Sequence, residues 1–124
     1  MSQQTISAGS QVFVGAPAHP LPAERVRRLS AMLSELAAVE EAHLPQCYIP
    51  GRIDPPAQVL MVVLAASADV ASTMETIIAR LNGMLPEGVH LDVLPLSRQH
   101  ELLPFVRKAG CVLVTRTRPW WRLW

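Results

Sequence analysis

The run Val59-Leu60-Met61-Val62-Val63-Leu64-Ala65-Ala66 constrains this chain more than any other segment. It is apolar at odd and even positions alike, so a strand here is buried on both faces rather than on one. Gln58–Ala66 is therefore expected as the central strand of a sheet. The run ends after eight residues, far short of the ~20 that a membrane-spanning helix needs.

Flanking segments supply the layers around such a strand. Val12-Phe13-Val14 reads as a short strand stopped by Gly15, and Pro17, Pro20 and Pro22 keep the following connection extended. Pro22 suits a first helical position. Val26, Leu29, Met32, Leu33 and Leu36 then recur at spacings of three and four, which marks an amphipathic helix of about four turns. Val39–Ile49 alternates imperfectly and reads as a strand, with Pro45 arguing for an edge position or a bulge. Pro50-Gly51-Arg52-Ile53-Asp54-Pro55-Pro56 is a loop by its turn chemistry.

After the central strand, Ser67 or Asp69 can cap a second helix whose inward residues are Val70, Met74, Ile77, Ile78 and Leu81. Gly83 is placed to end it in the left-handed conformation. Leu91–Leu96 is a further strand. Ser97 can cap a short third helix that holds Pro104 in its first turn and closes at Gly110, before a last strand over residues 111–115. The expected class is α+β: two layers, a mainly antiparallel sheet in the order β-α-β-β-α-β-α-β, with the helices packed on one face. Residues 1–10 read as a mobile leader, 11–116 as one domain and 117–124 as a Trp/Arg-rich tail.

A chain of 124 residues, half of them apolar and 17% charged, is globular in composition and long enough to bury a core. The net charge of +1 does not suggest a dedicated nucleic-acid binder. Its distribution is uneven. From Arg98 onward six basic residues face one acid, +5, against −4 for everything before, which together give the +1. Met1–Ser10 lacks the basic start and apolar core of a secretory signal. Cys47 and Cys111 are expected as reduced, small apolar residues on strands, which fits a bacterial cytoplasm.

Three of these segments, in their order, resemble a known family. Val12-Phe13-Val14-Gly15-Ala16-Pro17-Ala18 looks like an opening strand with a Gly-x-Pro-Ala turn. Val39-Glu40-Glu41-Ala42-His43-Leu44 is similar to a "V-x-x-A-Y-L" strand, with His43 at the aromatic position. Leu85-Pro86-Glu87-Gly88, followed by Leu91-Asp92-Val93-Leu94-Pro95-Leu96, resembles a Leu-Pro-x-Gly lead into a strand. Together they resemble the C-terminal domain of the SseB ("enhanced serine sensitivity") proteins, over roughly residues 11–116. The resemblance implies an α+β domain standing free of the family's N-terminal domain, and it supplies no catalytic residue. One departure stands out: Gly110 leads into Cys111-Val112-Leu113-Val114 where the family continues with Pro-Phe-Tyr.

No phosphate-binding glycine pattern is present, and His19, His43, His90 and His100 are scattered without metal-ligand spacing. His90 and Asp92 share a strand face and can form a dyad, but an exposed alternating pair is the plainer reading. Glu40 and Glu41 are adjacent, so in a strand they face opposite ways. No catalytic residue, metal site or cofactor is expected.

The tail Arg116-Thr117-Arg118-Pro119-Trp120-Trp121-Arg122-Leu123-Trp124 holds all three tryptophans of the chain. Such residues dominate binding hot spots, but they can equally cap the sheet, rest at a membrane interface or stack on single-stranded nucleic acid. The acidic body argues against the last of these.

The reading that follows is a non-enzymatic bacterial protein-binding module, an immunity protein that occludes a cognate toxin's active site. The alternative is an SseB-type regulatory or accessory protein linked to serine or sulfur metabolism. Candidate partner-binding residues are Glu40, Glu41, Asp54, Glu87, Arg118, Trp120, Trp121, Arg122 and Trp124. The expected partner is a protein, with no nucleic acid and no membrane span.

Overall fold

The computed structural model describes residues 2–6 and 10–116, with side chains from Val12 onward. The long strand β5 (Ile53–Leu64) is the hub, as the doubly apolar run requires, but it starts five residues before Gln58 and takes in residues 53–56, expected as loop, because this stretch pairs with Gln46–Ile49. Strands β3 (Val39–His43) and β4 (Gln46–Ile49) lie antiparallel along the same side of it. The pairs His43↔Met61 and Gln46↔Gln58 keep one register, so β3 and β4 form a single path broken only at Leu44-Pro45. Gly51, at φ +79°, closes the hairpin between Ile49 and Ile53. On the other side, β6 (Asp92–Leu96) runs parallel to the second half of β5.

The interruption at Pro45 has a physical cause. Strand β7 (Val112–Thr115) pairs antiparallel with β3, and strand β2 (Ser10–Gly15) pairs antiparallel with β4. The path therefore changes its outer neighbour between Leu44, whose N–H donates to the Cys111 carbonyl at 2.9 Å, and Gln46, which lies opposite Gly15. Pro45 sits at the exchange, fully buried, accepting from Val59 N–H at 3.1 Å with no N–H to return. Of the two expectations for Pro45, an edge position or a bulge, the edge fails: the strand is interior and is interrupted at this residue. Among the described residues the open edges belong to β1 (Ser2–Ile6), β6 and β7; Ser2–Ile6, read as leader, pairs antiparallel with β2.

The class is α+β with a mainly antiparallel sheet, and its elements follow the expected order apart from the added β1 and the break within β3–β4. Helices α1 (Ala23–Ser34) and α2 (Val70–Met84) share one face. There Leu29, Leu33, Ile77 and Leu81 pack against Leu60 and Val62 of β5. The helices do not all share one face as expected: α3 (Leu103–Lys108) lies on the opposite face, where Leu103 and Val106 meet Val59, Met61 and Val63, joined by Val14 and Cys47. The two parities of β5 are thus covered by different helices. Each fully buried Leu or Ile here contributes about 1.5–3 kcal/mol.

Several helix ends differ from expectation. Asp69 is the cap of α2, its Oδ1 accepting from Ser72 N–H at 3.1 Å. Gly83 does not end this helix; it lies inside it, and the chain leaves only at Leu85, because Pro86 pushes the preceding residue into the extended region (ψ 143°). The left-handed glycine is Gly88, φ +83°, in the next turn. Ser97 does not cap α3, which starts later, at Leu103, with Pro104 in its first turn; Gly110, φ +72°, closes it. Val70 and Ile78, expected inward, are 51% and 46% exposed. Among the described residues β6 is the last strand on that side, so none of them adds a strand over the outer flank of α2.

Candidate functional site

The adjacent glutamates of β3 are placed by a bulge. The register of β3 on β5 shifts between Val39 and Glu41, so Val39 and Ala42 both enter the α1/α2 core. Glu41 accepts a two-pronged ion pair from Arg107 of α3, Nε to Oε1 at 3.0 Å and Nη2 to Oε2 at 2.5 Å. His43 Nε2 lies 3.0 Å from the same Oε1. The hydrogen bond from Arg107 holds the Glu41 carboxyl below its usual range; burial opposes this and His43 adds to it. His43 is only 3% exposed, and its Nδ1 has no partner among the described residues. Glu40 is ion-paired with Arg98, which follows β6.

Both glutamates are therefore neutralised inside the chain, by two of the basic residues that made its last part positive. The other two acids, Asp54 and Glu87, stand near the starts of β5 and β6, at the other end of the sheet, and both are exposed. Asp54 accepts from the Tyr48 hydroxyl at 3.4 Å. The four acids thus do not form one surface. Arg118, Trp120, Trp121, Arg122 and Trp124 lie outside the described residues. Arg116, at the root of that tail, folds back along the surface onto the end of α1. Its guanidinium donates to the carbonyls of Val39 at 2.7 Å, Ser34 at 2.6 Å and Leu36 at 3.2 Å, so it caps the C-terminal end of α1.

His90 and Asp92 do meet, Nε2 to Oδ1 at 2.9 Å, and both are largely exposed. They border a depression of about 220 Å³ together with Asn82, Ile78 and Val89. Its lining holds no hydroxyl, thiol or amine that the imidazole could activate as a nucleophile. Among the described residues no group of three His, Cys, Asp or Glu side chains is placed to hold a metal ion. Also among these residues, no helix is long and apolar enough to cross a membrane. Cys47 and Cys111 are free thiols; burial pushes Cys47 up to about 11 and also raises Cys111.

What the sequence reading missed is an apolar rim around the open edge of β6. Val70 and Ile78 of α2 and Val89 of the following loop are exposed on one face of this edge. Leu94, 42% exposed, lies on the other, since its register partner Met61 belongs to the α3 face. The signal was present as an α2 apolar stripe wider than one neighbouring strand can cover. Comparison with protein-family models, with curated proteins and with solved structures gave no match.

Proposed function

We propose that this chain is a protein-binding module that acts by docking, and that its role is that of an immunity protein seated over a toxin's active site. The observation that carries the docking reading is the rim of Val70, Ile78, Val89 and Leu94 around the edge of β6, which has no strand partner there among the described residues. Large apolar side chains grouped on both faces of one edge are what a partner can bury, at about 25 cal/mol per Å². Glu87, beside Val89, gives this rim a free acidic end, and complementary charge of that kind speeds and orients docking on a basic catalytic cleft. The immunity role rests on the sequence: such an inhibitor needs only a small rigid domain with an anchor surface.

The alternative, an SseB-type accessory protein tied to serine or sulfur metabolism, draws support from the order of elements. Along that order the Gly-x-Pro-Ala and Leu-Pro-x-Gly segments fall at the end of β2 and before β6.

Pull-down of the tagged chain from its native host tests the docking reading, with Ile78→Glu and Leu94→Glu compared against Val112→Glu on the distant β7 edge. One stoichiometric partner of toxin size is expected with the wild type and with Val112→Glu, and lost with the two rim variants. No stoichiometric partner at low salt, or equal retention by all three variants, overturns it.

A further inference from the structure

β5 and β6 are adjacent parallel strands, and the chain leaves them in opposite directions. From Leu64 it turns to α2 on one face of the sheet; from Leu96 it turns towards α3 on the other. Diverging connections leave a gap beyond the carboxyl ends of the two strands. In open sheets with parallel strands, such gaps are where small ligands bind.

Here the gap is a cavity of about 340 Å³, at the lower end of the range of small-molecule sites. Its β5 side is Leu64 followed by Ala65, Ala66 and Ala68, side chains too short to fill the space. Its β6 side presents Ser97, Arg98 and Gln99 in succession. The polar groups of the lining are thus a hydroxyl, a guanidinium and an amide, with no carboxylate among them. Arg98 is ion-paired with the half-buried Glu40, which is not itself part of the lining, and the rest of its five-donor fork has no other partner among the described residues. Asp69, near the mouth, spends its carboxylate on the cap of α2.

We infer that this crevice binds a small organic oxyanion, a carboxylate or phosphate ester on a short apolar body, with Arg98 as its anchor and the alanine wall around the apolar part. The fork of an arginine matches either oxyanion in two-pronged fashion, and a ligand thus held does not need to displace Glu40. The crevice shares only Val70 with the docking rim. The test below needs no protein partner, so either proposal can fail alone.

The test is a titration of the ¹⁵N-labelled full chain with isobutyrate and, separately, ethyl phosphate, against sodium chloride at matched ionic strength. At about 50 mM even a site of millimolar Kd saturates. Saturable shifts confined to the amides of residues 64–70 and 96–99 are expected with at least one of the two organic anions and not with chloride; which anion acts names the ligand class. Ala66→Leu fills the cavity while leaving the Arg98–Glu40 pair in place, and should abolish the shifts. Arg98→Lys keeps the charge but loses the fork, and should weaken binding about tenfold. No saturable shift with either anion, equal shifts with chloride, or undiminished binding by Ala66→Leu overturns the inference. A wild-type spectrum elsewhere in each variant shows that it has folded.

Discussion

Arg116→Met separates a structural residue from the tail it introduces. Its guanidinium binds the Ser34 and Leu36 carbonyls at an end of α1 that has no basic residue of its own in the last turn, and the Val39 carbonyl where β3 begins. A shielded hydrogen bond to a charged group is worth roughly 1.5–3 kcal/mol, but Arg116 is exposed and water can replace part of each bond. About 0.5 kcal/mol per bond, with about 0.5 kcal/mol from placing a cation at the negative end of the helix dipole, gives a loss of about 2 kcal/mol. At a urea m-value of about 1.5 kcal/mol/M, the unfolding midpoint falls by roughly 1.3 M. Circular dichroism of the full chain in urea measures it. Arg27→Met, which removes an exposed α1 cation with no partner among the described residues, should stay within about 0.5 kcal/mol. Arg116→Lys should recover less than half of the loss, since a single ammonium cannot span three carbonyls. If Arg116→Met moves the midpoint no further than Arg27→Met, the capping argument is wrong and the residue belongs with the tail.

Glu41 gives stability an acid limb. The Arg107 guanidinium holds its carboxyl below the ordinary carboxylate range, so the stabilisation is present above that range and is lost as pH falls through the lowered folded pKa. The wild type should therefore lose urea resistance below about pH 4.5 more steeply than Arg107→Met, and the gap between them should narrow as Glu41 protonates; parallel curves would sink the assignment. Cys47, buried and pushed up to about 11, should resist a maleimide at pH 8 until the chain unfolds. The half-buried Cys111 should label first, as peptide mapping of the singly modified protein would show.

The ion pairs explain why the tally of charge misled about surfaces. Glu40 and Glu41 looked like free acids in a strand, and Arg98 and Arg107 like the start of a basic end. Each glutamate meets its arginine only because β6 lies alongside β5 and α3 packs across the sheet, contacts that join residues 58 and 66 positions apart. The rim around β6 was half legible. Val70 and Ile78 were visible as apolar α2 positions, but their exposure depended on β6 being the last strand, which spacing along one helix does not encode. The crevice between β5 and β6 was not legible at all, since it exists only where two connections diverge.

Periodicity, capping and proline geometry act within a few residues, and they were enough to read most elements, their order and the central strand, though not β1 or the break between β3 and β4. The doubly apolar run put β5 at the centre, and Pro86 ends α2 whatever lies around it, although Gly83 had been given that task. Long-range contacts set the place of Pro45 inside the sheet at an exchange of neighbours, the return of Arg116 onto the end of α1, and the cover that α3 gives to the face α1 and α2 leave open. Each depends on which distant strands pair and in what register, and a register is chosen by the sum of many non-local contacts rather than by any one segment.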